Sequence, residues 1–185
     1  MLRLAIPAVT LVLIGACGED PPPARPKVPV VSGPIVEHAD ASAGVGFAEA
    51  SFPCCATPET SAAVGAYVGL GEALAADDKA AATERTAALA QAMAALPAET
   101  GSAAGMVELV GRMQGQDLDG IREEFLDLTT PMLELARAER AASGPVKVAV
   151  AFCPMKPGRW LQVADGIKNP YYGASMLTCG VFEAP

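Results

Sequence analysis

The sequence predicts a mainly α-helical fold: a helical bundle of three to four helices, followed by a small, loop-rich C-terminal motif that carries short β segments. Apolar residues recur every three to four positions between Ser61 and Leu135, which is the period of helices that pack on one another. Asp, Pro and Gly residues interrupt this pattern and divide it into separate helices. From Val146 the apolar period changes to two, which is typical of an extended strand.

The N-terminus, residues 1–16, has the pattern of a secretory signal. Met1-Leu2-Arg3 gives it a short basic start, and Leu4–Ile14 is almost wholly apolar but too short to span a bilayer as a mature helix. The small residues before Cys17 resemble the lipobox of bacterial lipoproteins, which implies cleavage before Cys17 and lipidation of this residue. Ordinary signal cleavage is the alternative. We expect a lipid-anchored protein on the periplasmic side of the envelope, and Gly18 favours the outer membrane over the inner.

Residues 17–58 are predicted to be the lipidated cysteine, a tether and an irregular segment. Prolines recur throughout Gly18–Pro34 and favour extended polyproline, whereas Ile35–Pro58 is rich in Ala, Gly and Ser and is predicted to be a loop. Cys54 and Cys55 lie near its end. Adjacent cysteines rarely bond to each other because the geometry is strained, so these two are candidates for extra metal ligands or for a bond to another cysteine.

Residues 59–185 are predicted to form the helices and the C-terminal motif, which occupies 145–182. Asp77-Asp78 divides the first helical stretch, and an Asp there can cap a second helix that Pro97 ends. A shorter helix spans Met106 to Met113, and Pro131 predicts a kink in the last helix. That last helix has the most regular stripe, formed by Leu118, Ile121, Phe125, Leu128, Met132 and Leu135.

Charge and histidine content exclude several classes of function. The formal net charge is −8 and no basic patch is present, which argues against binding to nucleic acid. His38 is the only histidine, so a histidine-dependent nucleophilic centre would have to rest on it, and no carboxylate pattern indicates a glycosidase. We therefore expect a protein that is not an enzyme.

Two thiols and two thioethers near the C-terminus form a candidate metal site: Cys153, Met155, Met176 and Cys179. Pro154 favours an extended Cys153, so residues 153 and 155 point to the same side, and residues 176 and 179 share one side of a helical turn. Soft sulfur ligands suit Cu(I), and Ag, Hg or Zn could bind the same set. Zinc more usually takes four thiolates or imidazoles, so the pattern favours Cu(I).

A disulfide between Cys153 and Cys179 is the main alternative. It would close a loop of about 27 residues and contribute roughly 3.5 kcal/mol in the chain-entropy model. Exported proteins often carry such bonds, and the two methionines would then only fill the core. With the bridge closed, no metal would bind. A thiol–disulfide redox protein is a third alternative, although the chain has no C-x-x-C motif.

The C-terminal motif also resembles a known family. The strings that carry the resemblance are Phe152-Cys153-Pro154-Met155, Trp160-Leu161, Ile167-Lys168-Asn169-Pro170-Tyr171-Tyr172-Gly173 and Met176-Leu177-Thr178-Cys179-Gly180. They are similar to a family of exported bacterial domains of unknown function (number 3347), whose members occur alone and fused to the C-terminus of heavy-metal efflux adaptor proteins. A weaker likeness over 64–140 includes Ala73-Leu74-Ala75-Ala76-Asp77-Asp78 and Ile121-Arg122-Glu123-Glu124-Phe125.

The resemblance implies copper or heavy-metal handling in the periplasm, with Cys153, Met155, Met176 and Cys179 at the family's motif positions. The string Cys-Pro-Met-Lys-Pro is also similar to the Cys-Pro-Met-His-Pro of small heavy-metal-binding modules, with Lys156 in place of the histidine. We expect an envelope lipoprotein that binds Cu(I) and buffers it or delivers it to an efflux adaptor. The alternative is a disulfide-stapled interaction module that docks on an efflux complex without binding metal.

Overall fold

The computed structural model describes residue 45 and residues 47–141, 143–156, 158–163 and 166–185. The predicted signal, Cys17, the proline-rich tether and His38 lie outside these residues. The fold is mainly α, as predicted, with four long helices and a small antiparallel sheet of four strands. Within the described part of the chain, no helix combines the length and the apolar character needed to cross a membrane.

Each of the four long helices begins directly after a polar residue: Thr57, Asp78, Ser102 or Asp117. A single helical turn, α1 (Phe47–Ala50), precedes the long helices α2 (Pro58–Ala75), α3 (Lys79–Ala94), α4 (Ala103–Met113) and α5 (Leu118–Ala138). Asp78 caps α3, as predicted, by accepting a hydrogen bond from the Ala81 N–H at 2.9 Å. Asp117 caps α5 in the same way, and α5 continues through Pro131.

The sheet is built around one central strand. Its strands are β1 (Ser51–Cys54), β2 (Val146–Cys153), β3 (Gly158–Gln162) and β4 (Val181–Glu183), and the other three all pair antiparallel with β2. Ala149 pairs with both Ser51 and Gln162, so β1 and β3 lie on opposite edges of β2. Phe152 pairs with both Arg159 and Val181, which places β4 on the same edge as β1.

The strand predicted from Val146 is confirmed as β2, but it is the central strand of the sheet rather than an edge segment, and residues 148–151 are all buried. One prediction about this region is wrong. The neighbouring strand β1 lies in the segment that was predicted to be a loop. The physical reason is that β1 and β4 are too short to show an alternating pattern and are stabilised by pairing with β2, which is distant in sequence.

An aromatic cluster joins the helices to the sheet. The Tyr67 ring of α2 stacks on Phe125 of α5 with centroids 4.5 Å apart, and Tyr171 packs edge-on against Phe125 at 6.1 Å and Trp160 at 5.8 Å. The Tyr171 hydroxyl donates to the Arg159 carbonyl. Burial raises the pKa of Tyr171, so its phenol stays protonated and remains a donor. This bond satisfies a carbonyl of β3 and holds the loop around Tyr171 against the sheet.

Candidate functional site

Cys153 is the last residue of β2 and faces a tight hairpin turn. It pairs with Gly158 at the start of β3, and the backbone N–H groups of Lys156 and Met155 in the turn donate hydrogen bonds to its sulfur. Gly158 lets the hairpin pack closely on α5, since a Cβ there would lie 2.5 Å from Leu126 Cδ1. The thiol of Cys153 is thus buried at the end of the central strand of the sheet, beside these two N–H groups.

Cys179 reaches the same point from a different part of the chain. A short 3-10 helix (Gly173–Met176) ends just before it, and the Cys179 N–H donates to the Met176 carbonyl at 2.9 Å. Gly180 follows with a φ of 151°, and a Cβ there would lie 2.9 Å from the Trp160 ring. Val181 then pairs with Phe152, which places Cys179 beside the end of β2.

The two thiols are in contact and are not bonded. Cys153 Sγ and Cys179 Sγ lie 3.6 Å apart, whereas a disulfide has a sulfur–sulfur distance of about 2.05 Å. Cys153 is buried and Cys179 is partly exposed. The contact joins residues separated by 26 positions in the sequence, so the structure brings together the two thiols that the spacing singled out.

Asn169 organises the loop that carries Cys179. Its side chain is fully buried; Nδ2 donates to the Cys179 carbonyl at 2.8 Å, and Oδ1 accepts from the Tyr171 N–H at 2.9 Å. Its own N–H donates to the Leu177 carbonyl at 2.7 Å, and its side chain also hydrogen-bonds the thiol of Cys153. These contacts are not visible in the sequence, because the partners of Asn169 lie up to 16 positions away.

Arg122 of α5 holds the same loop against the helices. Its guanidinium donates to the Pro170 carbonyl at 3.0 Å and to the Leu74 carbonyl at 2.8 Å, and it forms an ion pair with Asp77. Asp77 in turn accepts a hydrogen bond from the Ala174 N–H at 2.8 Å. We call this set the Arg122–Asp77 latch. Both residues lie in segments that resemble the family, but the sequence indicated only a helix boundary at Asp77 and no role for Arg122.

The surroundings shift the pKa values of the two thiols in opposite directions. Burial acts to raise the pKa of Cys153, but the N–H groups of Lys156 and Met155, the thiol of Cys179 and the Asn169 side chain together lower it. The hydrogen bond to Cys153, together with partial burial and the negative charge of a Cys153 thiolate, raises the pKa of Cys179. The first proton lost from the pair therefore comes from Cys153, and the second is held on Cys179.

We predict that the pair ionises in two steps. In the chain carrying Cys17→Ser, with Cys54 and Cys55 left oxidised, thiolate ultraviolet absorbance should rise once below and once above the ordinary cysteine pKa of about 8.5. In Cys153→Ala, the remaining thiol loses its partner, so its pKa should fall from the upper value towards the ordinary one. A single wild-type step at the ordinary pKa would contradict this geometry.

The two predicted thioether ligands are placed less tightly. Met155 belongs to the hairpin turn but its side chain is 63% exposed, and Met176 is half-buried in the 3-10 helix. Within the described residues, one hydrogen bond joins two sulfur atoms, and it lies between Cys153 and Cys179. No group of three or more His, Cys, Asp or Glu residues in this part of the chain could hold a metal ion. A metal site would therefore consist of the two thiols, and the Met155 and Met176 side chains would have to turn towards these thiols to become ligands.

Cys54 and Cys55 lie far from this pair and are bonded to each other. The prediction that adjacent cysteines rarely bond is wrong here: the peptide bond between them is cis, the two Cα atoms are 3.2 Å apart, and the sulfurs form a disulfide. Cys54 pairs with Val146, at the opposite end of β2 from Cys153. Seven residues of strand separate the two ends by about 23 Å, so Cys54 and Cys55 supply no ligand to the thiol pair.

No protein-family model, no curated protein and no solved structure matches this chain in the three comparisons made with known proteins.

Proposed function

We propose that this protein binds Cu(I), or a similarly soft ion such as Ag or Hg, through Cys153 and Cys179. The observation that carries the proposal is a pair of unbonded thiols 3.6 Å apart, one buried and one partly exposed. Thiolates are preferred ligands of Cu(I), and the pair needs no large movement to hold a shared ion. Zinc remains a weaker candidate, because the described residues offer no third thiolate or imidazole beside the pair.

The hydrogen bonds around Cys153 support this proposal. Metal binding requires deprotonated thiols, and the N–H groups of Met155 and Lys156 stabilise the thiolate form of Cys153. Cys179, on the accessible side, is the first of the two thiols that an incoming donor meets. Transfer would then proceed by ligand exchange, from the donor to Cys179 and then to both sulfurs.

Met155 and Met176 are proposed as the third and fourth ligands. Both belong to the two turns that carry the cysteines, and the exposed Met155 side chain is free to turn towards the pair. Thioethers are neutral at every pH, so a Cys₂Met₂ site would hold Cu(I) with a net charge of about −1. In this proposal the four helices act as a bundle that fixes the C-terminal motif.

The cellular role is also a proposal. We infer a lipoprotein anchored through Cys17 on the periplasmic side of the envelope, in the outer membrane rather than the inner, which buffers copper or delivers it to a heavy-metal efflux adaptor. This rests on the N-terminal pattern and on the resemblance of residues 145–182 to the exported domains. The protein is not expected to be an enzyme or to bind nucleic acid.

A second candidate is the disulfide-stapled interaction module that docks on an efflux complex. The contact between Cys153 and Cys179 also favours this function, because the sulfurs need to approach by only about 1.5 Å to reach bonding distance. Oxidation would then fix the loop that Asn169 organises and leave no thiolate for a metal. The two candidates use the same residues in different redox states.

A competition titration with a Cu(I) chelator tests the metal-binding function. We expect the reduced chain carrying Cys17→Ser to bind one Cu(I), Cys153→Ser to bind at least about 100-fold more weakly, and Met155→Ala/Met176→Ala about 10-fold more weakly, since each lost ligand costs one metal–sulfur bond. Each tenfold loss corresponds to about 1.4 kcal/mol.

Buried methionines provide the matched control for the titration. Met106 and Met113 are fully buried in α4, so Met106→Leu/Met113→Leu should leave Cu(I) affinity unchanged. Cys54→Ser/Cys55→Ser should keep the stoichiometry, because these cysteines lie at the other end of β2. Failure of the wild type to compete with a chelator of moderate affinity would rule out the function.

A further inference from the structure

The distance between the two sulfurs determines the bond angle at an atom that both of them bind. With sulfur bonds of about 2.3 Å, two sulfurs 3.6 Å apart subtend an angle of about 100° at a shared central atom. A linear two-coordinate ion would instead need sulfurs about 4.6 Å apart. The pair as it stands therefore fits a bent centre, and a linear ion would have to spread the two sulfurs by about 1 Å.

The backbone that carries the two sulfurs is held on both sides of the pair. Cys153 is fixed in the central strand by pairing with Gly158, and its neighbour Phe152 is paired on both edges. Cys179 is held by the Asn169 bond to its carbonyl and by Gly180, where the backbone packs against Trp160. Both sulfurs thus project from backbone that is fixed by hydrogen bonds and close packing.

We infer that Cys153 and Cys179 form a bidentate site for trivalent arsenicals. Arsenic(III) is pyramidal, with bond angles near 100° imposed by its lone pair, and it is fully bonded by two protein sulfurs and one further substituent. It needs no third protein ligand, and the described residues place no further His, Cys, Asp or Glu group with the pair. The inference deepens the proposed soft-ion function and rests on the same two thiols.

The exposed rim of the site accommodates the third substituent. Cys179 is partly exposed, whereas Cys153 is buried, so the site opens on the Cys179 side. Met155 and Leu177, close to the two cysteines in sequence, are among the large apolar side chains that the protein leaves exposed. An organic group on the arsenic would project from the site on this side and contact apolar surface.

The reaction is a substitution without redox change. The hydrated arsenical R–As(OH)₂ loses its two hydroxyl groups, two As–S bonds form, and each thiol proton leaves with a hydroxyl as water. Arsenic stays in the trivalent state throughout. The accessible Cys179 forms the first bond, and Cys153, whose sulfur accepts the N–H groups of Met155 and Lys156, closes the ring.

Phenylarsine oxide is the probe that tests this inference. We expect the full chain carrying Cys17→Ser, with the Cys54–Cys55 disulfide intact, to gain one phenylarsenic group in intact-mass spectrometry, located by peptide mapping at Cys153 and Cys179. The adduct should survive excess monothiol and be removed by a small dithiol, because only a two-sulfur chelate resists a monothiol. Cys153→Ser and Cys179→Ser should each lose this resistance.

The variants separate this inference from the copper function. Met155→Ala/Met176→Ala should keep the arsenical adduct even where its Cu(I) affinity falls, since arsenic needs only the two thiols. If the chain binds Cu(I) but forms no monothiol-resistant adduct, the arsenical inference alone is overturned. If the chain forms the adduct but fails to bind Cu(I), the copper function alone is overturned. An undiminished adduct in Cys153→Ser/Cys179→Ser would show that the site lies elsewhere.

Discussion

Replacing Arg122 by methionine is expected to lower the free energy of unfolding by about 2–4 kcal/mol, because the change strips the Leu74 and Pro170 carbonyls of their buried donor. Methionine keeps most of the buried volume, so the loss reports on the polar contacts. Urea unfolding of the chain carrying Cys17→Ser measures it. Because the latch holds the loop that leads to Cys179, the two-step ionisation of the thiol pair should also become less separated.

Arg112 provides the matched control for the latch. It lies on α4 and pairs with Glu108 and Glu124, but its side chain is 45% exposed, against 10% for Arg122. Arg112→Met should cost no more than about 1 kcal/mol, since exposed ion pairs contribute little. Equal losses in the two variants would mean that burial of the latch has no special effect on stability.

Phe125→Ala should have the largest effect on stability, about 3–5 kcal/mol. The Phe125 ring is fully buried, stacks on Tyr67 and contacts the edge of Tyr171, so it joins α2, α5 and the C-terminal loop. Gly71 lets the ring approach closely, because a Cβ at that position would lie 3.2 Å from Phe125 Cζ. The alanine variant would leave a cavity at this junction, which thermal or urea unfolding detects.

Val107→Ala is the control for this cavity. Val107 lies on α4 with 44% of its surface exposed, so its truncation should change stability by no more than about 0.5 kcal/mol. If Phe125→Ala were no more destabilising than Val107→Ala, the aromatic cluster would not be the junction between helices and sheet.

The helices could be predicted because their signals are local. Asp78 and Asp117 stand directly before the helices that they cap, and Pro97 follows shortly after the end of α3. The strands β1 and β4 could not be predicted, since four and three residues carry too little pattern and both depend on pairing with β2. The residues next to a helix determine where it begins and ends, whereas a short strand depends on a partner from a distant segment.

Part of the candidate site could likewise be predicted from the sequence, and part could not. The spacing of Cys153 and Cys179, with Pro154 and Gly180 beside them, indicated a thiol pair that the structure does bring into contact. The Arg122–Asp77 latch was not predicted, because its partners are 45 positions apart and nothing local selects one carboxylate over another. The bond between Cys54 and Cys55 was missed because the general rule disfavours it and the cis peptide is not visible in sequence.

The length of β2 has a consequence for how the cysteines respond to oxidants. One cysteine pair lies at each end of the strand, about 23 Å apart, so no thiol of one pair can attack the disulfide of the other while the sheet is intact. Of the three ways to pair the four cysteines of the described residues, the fold permits one. The Cys153–Cys179 pair can therefore pass through cycles of oxidation and reduction without scrambling the Cys54–Cys55 disulfide.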